Sequence, residues 1–143
     1  MSVLNIIKHK GSRIVSVRPE ATVAQAVAVL HEKRIGAVLV RDVRGALVGI
    51  LSERDVVRGI VRYGAAVLEK PIRALMTANI VSCTPRDDVK HVMEVMTMRR
   101  VRHLPVTEAG TLKGIISIGD VVKHRLDMAQ LEVNVLRDYA RGH

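Results

Sequence analysis

The stretch GILSERDVV at residues 49–57 recurs as GIISIGDVV at residues 114–122. A second recurring pair lies ahead of it, with IVSVRP at residues 14–19 and IVSCTP at residues 80–85. A one-residue gap near Arg44 brings both halves of the chain into register. Because several matches in the same order are the signature of an internal repeat, the sequence predicts two copies of one structural unit.

Both copies predict the same order of elements. A β-rich run ends at a proline, and apolar residues at helical spacing follow behind a residue suited to cap a helix. Two strands joined by a turn come next, and a second helix begins at the serine of the recurring motif. Each copy is therefore predicted to be a βαββα unit. Its parts are strands at 14–17 and 80–83, helices from Val23 and Val89 behind Thr22 and Asp88, hairpin strands at 37–40 with 47–51 and at 103–106 with 112–116, and second helices starting at Ser52 and Ser117.

The repeat divides the chain into five predicted segments. These are an N-terminal segment at 1–13, the first repeat at 14–63, a linker at 64–79, the second repeat at 80–126 and a C-terminal tail at 127–143. In the linker, Pro71 is expected to open a short helical turn. In the tail, the apolar residues Met128, Leu131, Val135 and Tyr139 fall on one helical face, which either packs on its own repeat or forms an interface.

Composition limits the function classes. Of the 143 residues, 48% are hydrophobic, so the chain can bury a core. It has no Trp or Phe and only two Tyr, which argues against base stacking with single-stranded nucleic acid. Cys83, the single cysteine, can form neither an internal disulfide nor a cysteine zinc site. The N-terminal residues contain too few apolar side chains for a signal peptide or a membrane span, so a reduced, cytoplasmic location is expected.

These features resemble the CBS-domain family, whose tandem modules are named after cystathionine β-synthase. The resemblance covers about residues 12–126 and rests on the βαββα order, the Ser-x-x-Asp ending of the recurring motif, the RVRHLPV stretch at 100–106 and the linker IRALMT at 72–77. It implies a mixed α/β (α+β) fold in which two βαββα CBS repeats pack as a pseudo-two-fold pair, a Bateman-type module.

The same resemblance implies a regulatory function. Such modules sense AMP, ADP, ATP or NAD(H) in the cleft between the repeats, with S-adenosylmethionine as a further candidate. They usually associate as homodimers. The expectation for this chain is a stand-alone sensor that signals to a separate partner protein.

The recurring motif supplies the first expected ligand contacts, Ser52 with Asp55 and Ser117 with Asp120. A serine followed three residues later by an acid also forms a capping box, and this structural role alone would explain the motif. The same helix start leaves N–H groups open to phosphate or hydroxyl groups, and in the family the aspartate accepts both ribose hydroxyls.

The middle of the motif differs between the copies. Glu53 and Arg54 make the first copy more charged, and Arg54 would reach a phosphate. Gly119 in the second copy would let a ligand approach the backbone closely.

Further contacts are expected where the hairpin strands begin. Arg102 and His103 match family positions that often contact phosphates, and a guanidinium suits phosphate; an exposed basic pair is the alternative. The first repeat has Gly36 and Ala37 there, which carry no charge and would flank adenine through backbone groups. We therefore predict two chemically distinct pockets. The remaining expected contacts are Arg18, Ile35, Thr84, Val101 and Pro105.

No catalytic residues and no metal ligands are predicted. The sequence contains no Walker-type loop, no Rossmann glycine motif and no nucleophile elbow, and its histidines are not spaced as metal ligands. A ligand sensor is therefore favoured over an enzyme. The alternative is a basic nucleic-acid-binding protein, which the formal net charge of +9 motivates. The dispersed positive residues and the lack of a helix-turn-helix signature speak against it.

Overall fold

The computed structural model describes residues 1–11 and 13–142. The chain forms two compact units, Arg13–Val81 on the one hand and Met1–Ser12 with Ser82–His143 on the other. Its elements, in chain order, are α1 (Val3–Lys10), β1 (Ser16–Val17), α2 (Val23–Lys33), β2 (Ala37–Arg41), β3 (Leu47–Ser52), α3 (Glu53–Tyr63), two 3-10 helices (Gly64–Glu69 and Ile72–Ala74), α4 (Val89–Arg99), β4 (His103–Glu108), β5 (Thr111–Ser117) and α5 (Ile118–Arg141).

The unit Arg13–Val81 contains a three-stranded sheet in the order β1-β2-β3. β1 runs parallel to β2, and β2 and β3 form the predicted antiparallel hairpin. The first four residues of β2, AVLV, are all buried. Helix α2 contributes Val23, Ala26 and Leu30 to the same hydrophobic core because these residues recur at helical spacing. The predicted βαββα order is confirmed in this unit.

In the second unit, β4 and β5 form a two-stranded antiparallel sheet. The strand predicted at 80–83 is wrong, because only Cys83 pairs there, through a parallel bridge to Val106. The cause is a turn directly after Cys83. The Thr84 N–H donates to Asp87 Oδ2 at 2.9 Å, and the Asp87 N–H donates to the Thr84 carbonyl at 3.1 Å, so the chain bends away from β4.

The starts of the first helices differ between the copies. Thr22 caps α2 as predicted, since its hydroxyl accepts a hydrogen bond from the Gln25 N–H at 3.2 Å. Asp88 is the N-cap residue of α4 as predicted, but its side chain makes no cap hydrogen bond. Its carboxylate instead lies 3.9 Å from the amino group of Met1, and the Val89 N–H donates to the Met1 carbonyl at 3.1 Å. The N-terminal segment therefore takes the place of the expected side-chain cap.

The ends of the first helices agree closely. Both α2 and α4 end at an arginine with left-handed backbone, Arg34 with φ 55° and Arg100 with φ 54°. The next residues, Ile35 and Val101, each donate an N–H to a carbonyl five residues back, at Leu30 and Met96. Such helix ends reverse the chain into the following strand. The repeat therefore extends to the backbone conformation of single residues.

Helix α5 joins the second helix of the second repeat and the predicted tail helix without a break. Its last part is exposed, with Leu131 52%, Val135 58%, Leu136 68% and Tyr139 68% exposed. Met128, the first residue of the predicted face, is half-buried and lines a cavity together with Met1 and Val89, so this end of the face lies against its own unit. For the exposed residues the interface interpretation stays a prediction. In the part of the chain that the structure describes, no helix has the length and apolar character needed to cross a membrane.

Candidate ligand-binding sites

Each recurring Ser-x-x-Asp motif lies where a strand passes directly into a helix. At the start of α3, the Ser52 N–H donates to Asp55 Oδ2 at 2.9 Å, and the Asp55 N–H donates to Ser52 Oγ at 3.3 Å. At the start of α5, the corresponding distances between Ser117 and Asp120 are 2.8 and 3.1 Å. Both motifs are complete capping boxes, so the predicted structural role is confirmed and the two helix starts share one geometry.

In the unit Arg13–Val81, the motif and the strand entry lie side by side. The Glu53 N–H donates to the Gly36 carbonyl at 3.0 Å, and Ala37 pairs with Ser52 across the hairpin. Ile35, Gly36 and Glu53 help to line an open cavity of about 650 Å³. The Ala37 side chain is buried, so it is not part of the exposed surface at this strand entry.

The second unit repeats this arrangement with different side chains. The Ile118 N–H donates to the Arg102 carbonyl at 2.8 Å, and His103 pairs with Ser117. Arg102 is exposed and His103 is half-buried. A Cβ at Gly119 would meet only Ser117 Oγ, at 3.5 Å, which is an ordinary contact. Packing within the unit does not require glycine at this position, and its backbone is open to an approaching ligand.

Three predicted ligand contacts are not among the strand-entry residues described above. They are Arg18, Arg54 and Thr84. Arg18 follows β1, Arg54 lies in the first turn of α3, and both side chains are exposed. The Thr84 hydroxyl donates to Asp87 Oδ1 at 3.0 Å. A ligand would therefore have to compete with this local hydrogen bond to bind Thr84.

The predicted apolar contacts of the second unit lie close to its core. Val101 is half-buried and Pro105 is buried, and the Pro105 carbonyl accepts the Cys83 N–H at 2.9 Å. Burial, together with the negative charge of Asp87, raises the pKa of the Cys83 thiol to about 12. Cys83 is therefore a buried core residue whose thiol is held in its neutral form at pH 7.

The two motif carboxylates have different surroundings. Asp55 is only 8% exposed, and both of its oxygens are engaged. Oδ2 accepts the Ser52 hydroxyl at 3.1 Å as well as the Ser52 N–H, and Oδ1 accepts the Thr77 hydroxyl at 3.3 Å. Both lone pairs of Oδ2 are used, so a ligand hydroxyl must displace the Ser52 hydroxyl before it can use both oxygens of Asp55.

Asp120 is more accessible, with 25% of its side chain exposed, and it is paired with a cation. Lys10 Nζ lies 2.7 Å from Asp120 Oδ2 and also donates to the Ile115 carbonyl at 2.9 Å. Burial raises the pKa of Asp120, but hydrogen bonds from Lys10 and Ser117 and the positive charge of Lys10 outweigh it, so the pKa lies below its ordinary value. Asp120 is therefore an ionised acceptor at neutral pH.

Two residues that contact the motif aspartates, Thr77 and Lys10, were not predicted from the sequence. Thr77 exchanges two backbone hydrogen bonds with Ile50, and Ile50 corresponds in the repeat to Ile115, whose carbonyl accepts Lys10. The segment ahead of each repeat therefore contacts the motif of the other repeat. The linker run IRALMT points to Thr77, but Lys10 has no local signal because Asp120 is 110 residues away.

A cavity of about 290 Å³ adjoins the Lys10–Asp120 pair. Helix α1 contributes Ile6, His9 and Lys10 to its lining, and α5 contributes Asp120, Lys123, His124 and Asp127. Among residues 1–11 and 13–142, no group of three or more His, Cys, Asp or Glu side chains is placed to hold a metal ion.

The duplicated motif and the βαββα units identify the class of protein. The family model of the CBS domain matches residues 10–62 and 72–127, which is most of the chain. This chain belongs to the CBS-domain family and carries a tandem pair of CBS domains. The resemblance and the mixed α/β fold class drawn from the sequence are thereby confirmed.

Known proteins of this family are similar over most of the chain. The crystal structure of a CBS-domain containing protein from Agrobacterium tumefaciens has 44% identity and a TM-score of 0.85, covering 87% of this chain and 92% of that chain. The mitochondrial CBS domain-containing protein CBSX3 of Arabidopsis thaliana is 33% identical over 125 residues, covering 85% of this chain and 61% of CBSX3.

A third similar structure is the CBS domain pair of the protein MJ0100, solved in complex with 5′-methylthioadenosine and S-adenosyl-L-methionine. It has 21% identity and a TM-score of 0.78, and the match covers 91% of this chain and 98% of that chain. At this identity the likeness shows a shared fold.

Proposed function

We propose that this protein is a regulatory module that binds AMP, ADP, ATP or NAD(H) and signals to a separate partner protein without catalysing a reaction. The observation that carries the proposal is the duplicated motif, which sets an acceptor carboxylate at a helix start beside a strand entry. The adenosine ligands in the MJ0100 complex support adenosine as the common recognition element, and S-adenosylmethionine stays among the candidates.

The groups at each motif suit the parts of a nucleotide. A carboxylate can accept both hydroxyls of a ribose, one on each oxygen. The helix start favours negative charge, and the exposed Arg102 adds a guanidinium that pairs well with phosphate. At the first motif, the backbone at Gly36 and the side chain of Ile35 would hold adenine. At the second motif, the side chain of Val101 would do so.

The two motifs are expected to bind with unequal affinity. Asp120 is partly exposed and lies in a unit with Arg102 at the strand entry, whereas Asp55 is buried and engaged by Thr77. We therefore propose that Asp120 forms the tighter site for a phosphorylated ligand, and that Asp55 forms a weaker site or none.

Calorimetric titration tests this function. AMP, ATP, NADH, S-adenosylmethionine and a DNA duplex are titrated into wild type, Asp120→Asn, Asp55→Asn and the control Asp138→Asn, whose carboxylate lies in the exposed tail. Asparagine keeps one acceptor oxygen and is the same size, so the helix starts should persist, and circular dichroism checks this. Asp120→Asn should weaken AMP binding by about tenfold, because one charged hydrogen bond of the ribose diol is lost. Asp138→Asn should not change it.

Two results would contradict the proposal. One is the absence of binding of any adenosine ligand to the wild-type protein. The other is AMP binding that is equally tight when both motif aspartates are asparagine. Tight, salt-dependent binding of the DNA duplex would support the nucleic-acid alternative instead.

We also propose a homodimer located in the cytoplasm. Apolar side chains on α3 and α5 are exposed in the isolated chain, and burial in a second copy would remove them from water. These residues are Val57, Ile60, Val61, Val122 and Leu126. Sedimentation velocity at micromolar concentration should give the mass of a dimer, and a monomer mass would refute this part.

A further inference from the structure

Lys10 is the last residue of α1 and has two hydrogen-bond partners, both from the end of the second repeat. Its ammonium donates to Asp120 Oδ2 at 2.7 Å and to the Ile115 carbonyl at 2.9 Å. Its side chain is 37% exposed, so the ammonium remains in contact with water while it is bound. Lys10 therefore lies on the carboxylate that the proposed function assigns to the ribose.

Asp120 Oδ2 has no lone pair free to accept a ribose hydroxyl. A carboxylate oxygen has two lone pairs, and Oδ2 already accepts the Ser117 N–H and the Lys10 ammonium. A ribose diol that donates to both oxygens must displace one of these donors. The Ser117 N–H is fixed in the backbone at the helix start, whereas Lys10 is a long, flexible side chain.

We propose that Lys10 is an autoinhibitory latch, which occupies the ribose-binding carboxylate of Asp120 in the free protein and is displaced when the ligand binds. This inference rests on the proposed function and adds a regulation of the same site. Ligand binding at Asp120 thereby releases the last turn of α1 from the second repeat.

The rest of α1 is held independently of Lys10. The Val3 N–H donates to the Asp87 carbonyl and the Leu4 N–H donates to the Pro85 carbonyl, each at 2.9 Å. Val3 and Ile6 are buried. Displacement of Lys10 therefore frees only the C-terminal end of α1, from which the chain continues through Gly11 into the first repeat. A ligand on the second repeat can in this way change the segment that leads into the first.

Among the residues that the structure describes, the first repeat has no charged counterpart of this latch. At the equivalent carboxylate, the neutral Thr77 hydroxyl donates to Asp55 Oδ1 at a longer distance of 3.3 Å. Asp127, which also lines the cavity beside Asp120, is a second carboxylate for the displaced ammonium, and Lys123 adds a positive charge to this lining. The ligand-dependent release of a chain segment is therefore assigned to the second repeat.

The test compares Lys10→Met with Lys8→Met. Methionine keeps the length and apolar stem of lysine, and Lys8 is an exposed residue of the same helix, so both variants lose the same charge but only one loses the contact with Asp120. AMP is the probe in calorimetric titrations. Hydrogen exchange at residues 8–11 is measured with and without AMP.

We expect Lys10→Met to bind AMP roughly two- to fivefold more tightly than wild type, because a partly exposed ion pair no longer competes with the ligand. Lys8→Met should stay within about twofold of wild type. In wild type, AMP should speed exchange at residues 8–11, and in Lys10→Met exchange there should already be fast without AMP.

Failure of the latch and failure of the proposed ligand-binding function would give different results. If wild type binds AMP through Asp120 but Lys10→Met binds it equally or more weakly, the latch is refuted and the ligand-binding function stands; weaker binding would make Lys10 a ligand contact. AMP-saturated wild type with unchanged exchange at residues 8–11 also refutes the latch. If none of the proteins binds an adenosine ligand, the proposed function fails, and the latch fails with it.

Discussion

Neutralising Asp120 should destabilise the second repeat measurably, even without a ligand. In Asp120→Asn, the ion pair with Lys10 is lost, and partly exposed pairs of this kind contribute about 0.5–1 kcal/mol. The negative charge at the start of α5 is lost as well, which contributes about 0.3–1 kcal/mol. Asparagine still accepts the Ser117 N–H, so most of the cap remains. The expected loss in the free energy of unfolding at pH 7 is therefore about 1–2 kcal/mol.

Urea denaturation followed by circular dichroism measures this loss. The control is Asp127→Asn, an exposed acid of the same helix, which should change the free energy of unfolding by less than about 0.5 kcal/mol. A double-mutant cycle of Asp120→Asn with Lys10→Met isolates the ion pair and should give a coupling of about 0.5–1 kcal/mol. Coupling indistinguishable from zero would refute the assignment of Lys10 as the partner of Asp120.

The same loss should depend on pH. The pKa of Asp120 is lowered in the folded protein, so its ionised form stabilises the fold. This contribution is complete above the ordinary aspartate pKa and is lost as the pH falls through the lowered folded pKa. The difference in the free energy of unfolding between wild type and Asp120→Asn should therefore shrink in acid. A difference that stays constant from pH 7 into the acid range would contradict the reasoning.

Three further outcomes are expected. Gly59→Ala should lower the free energy of unfolding by about 1–3 kcal/mol in urea denaturation, because its Cβ would lie 2.6 Å from Leu75 Cδ2. Gly119→Ala, whose Cβ meets nothing closer than 3.5 Å, should leave stability within about 0.5 kcal/mol but weaken AMP binding about threefold or more in calorimetry, and unchanged affinity would exclude a close approach of the ligand. Cys83, with its pKa raised to about 12, should react with a thiol reagent at pH 8 at least about a hundredfold more slowly in the folded protein than in urea.

Local sequence signals predicted most of the fold. The order of apolar residues predicted α2 and α4, and the buried runs predicted the hairpins β2–β3 and β4–β5. The serines of the recurring motif predicted the starts of α3 and α5, because a cap and its partner lie within one turn of the chain. All these features depend on neighbours close in sequence.

Features set by distant parts of the chain could not be predicted in the same way. Asp88 has the residue type of an N-cap, but the N-terminal segment takes over its role. The run at 80–83 has strand composition, but the turn at Thr84 limits its pairing to Cys83. The position of Lys10 on Asp120 joins residues at opposite ends of the chain, and no periodicity reports such a contact.

The positions of the two motifs were predictable, but the hydrogen-bond partners of their carboxylates were not. The pairing of Gly36 with Glu53 and of Arg102 with Ile118 follows from the hairpin and the helix start that the sequence predicts. The difference between a buried Asp55 and an ion-paired Asp120 arises from the segments that precede the repeats. The two copies therefore differ in the partners of their motif aspartates as well as in the residues at equivalent positions.

The affinity of the protein for AMP, measured by calorimetry, tests the central claim most directly. Wild type is predicted to show saturable binding, and a variant with Asp55→Asn and Asp120→Asn, folded by circular dichroism, is predicted to bind AMP at least about tenfold more weakly. Equal binding by the two proteins, or no binding by wild type while the fold is intact, would contradict the account.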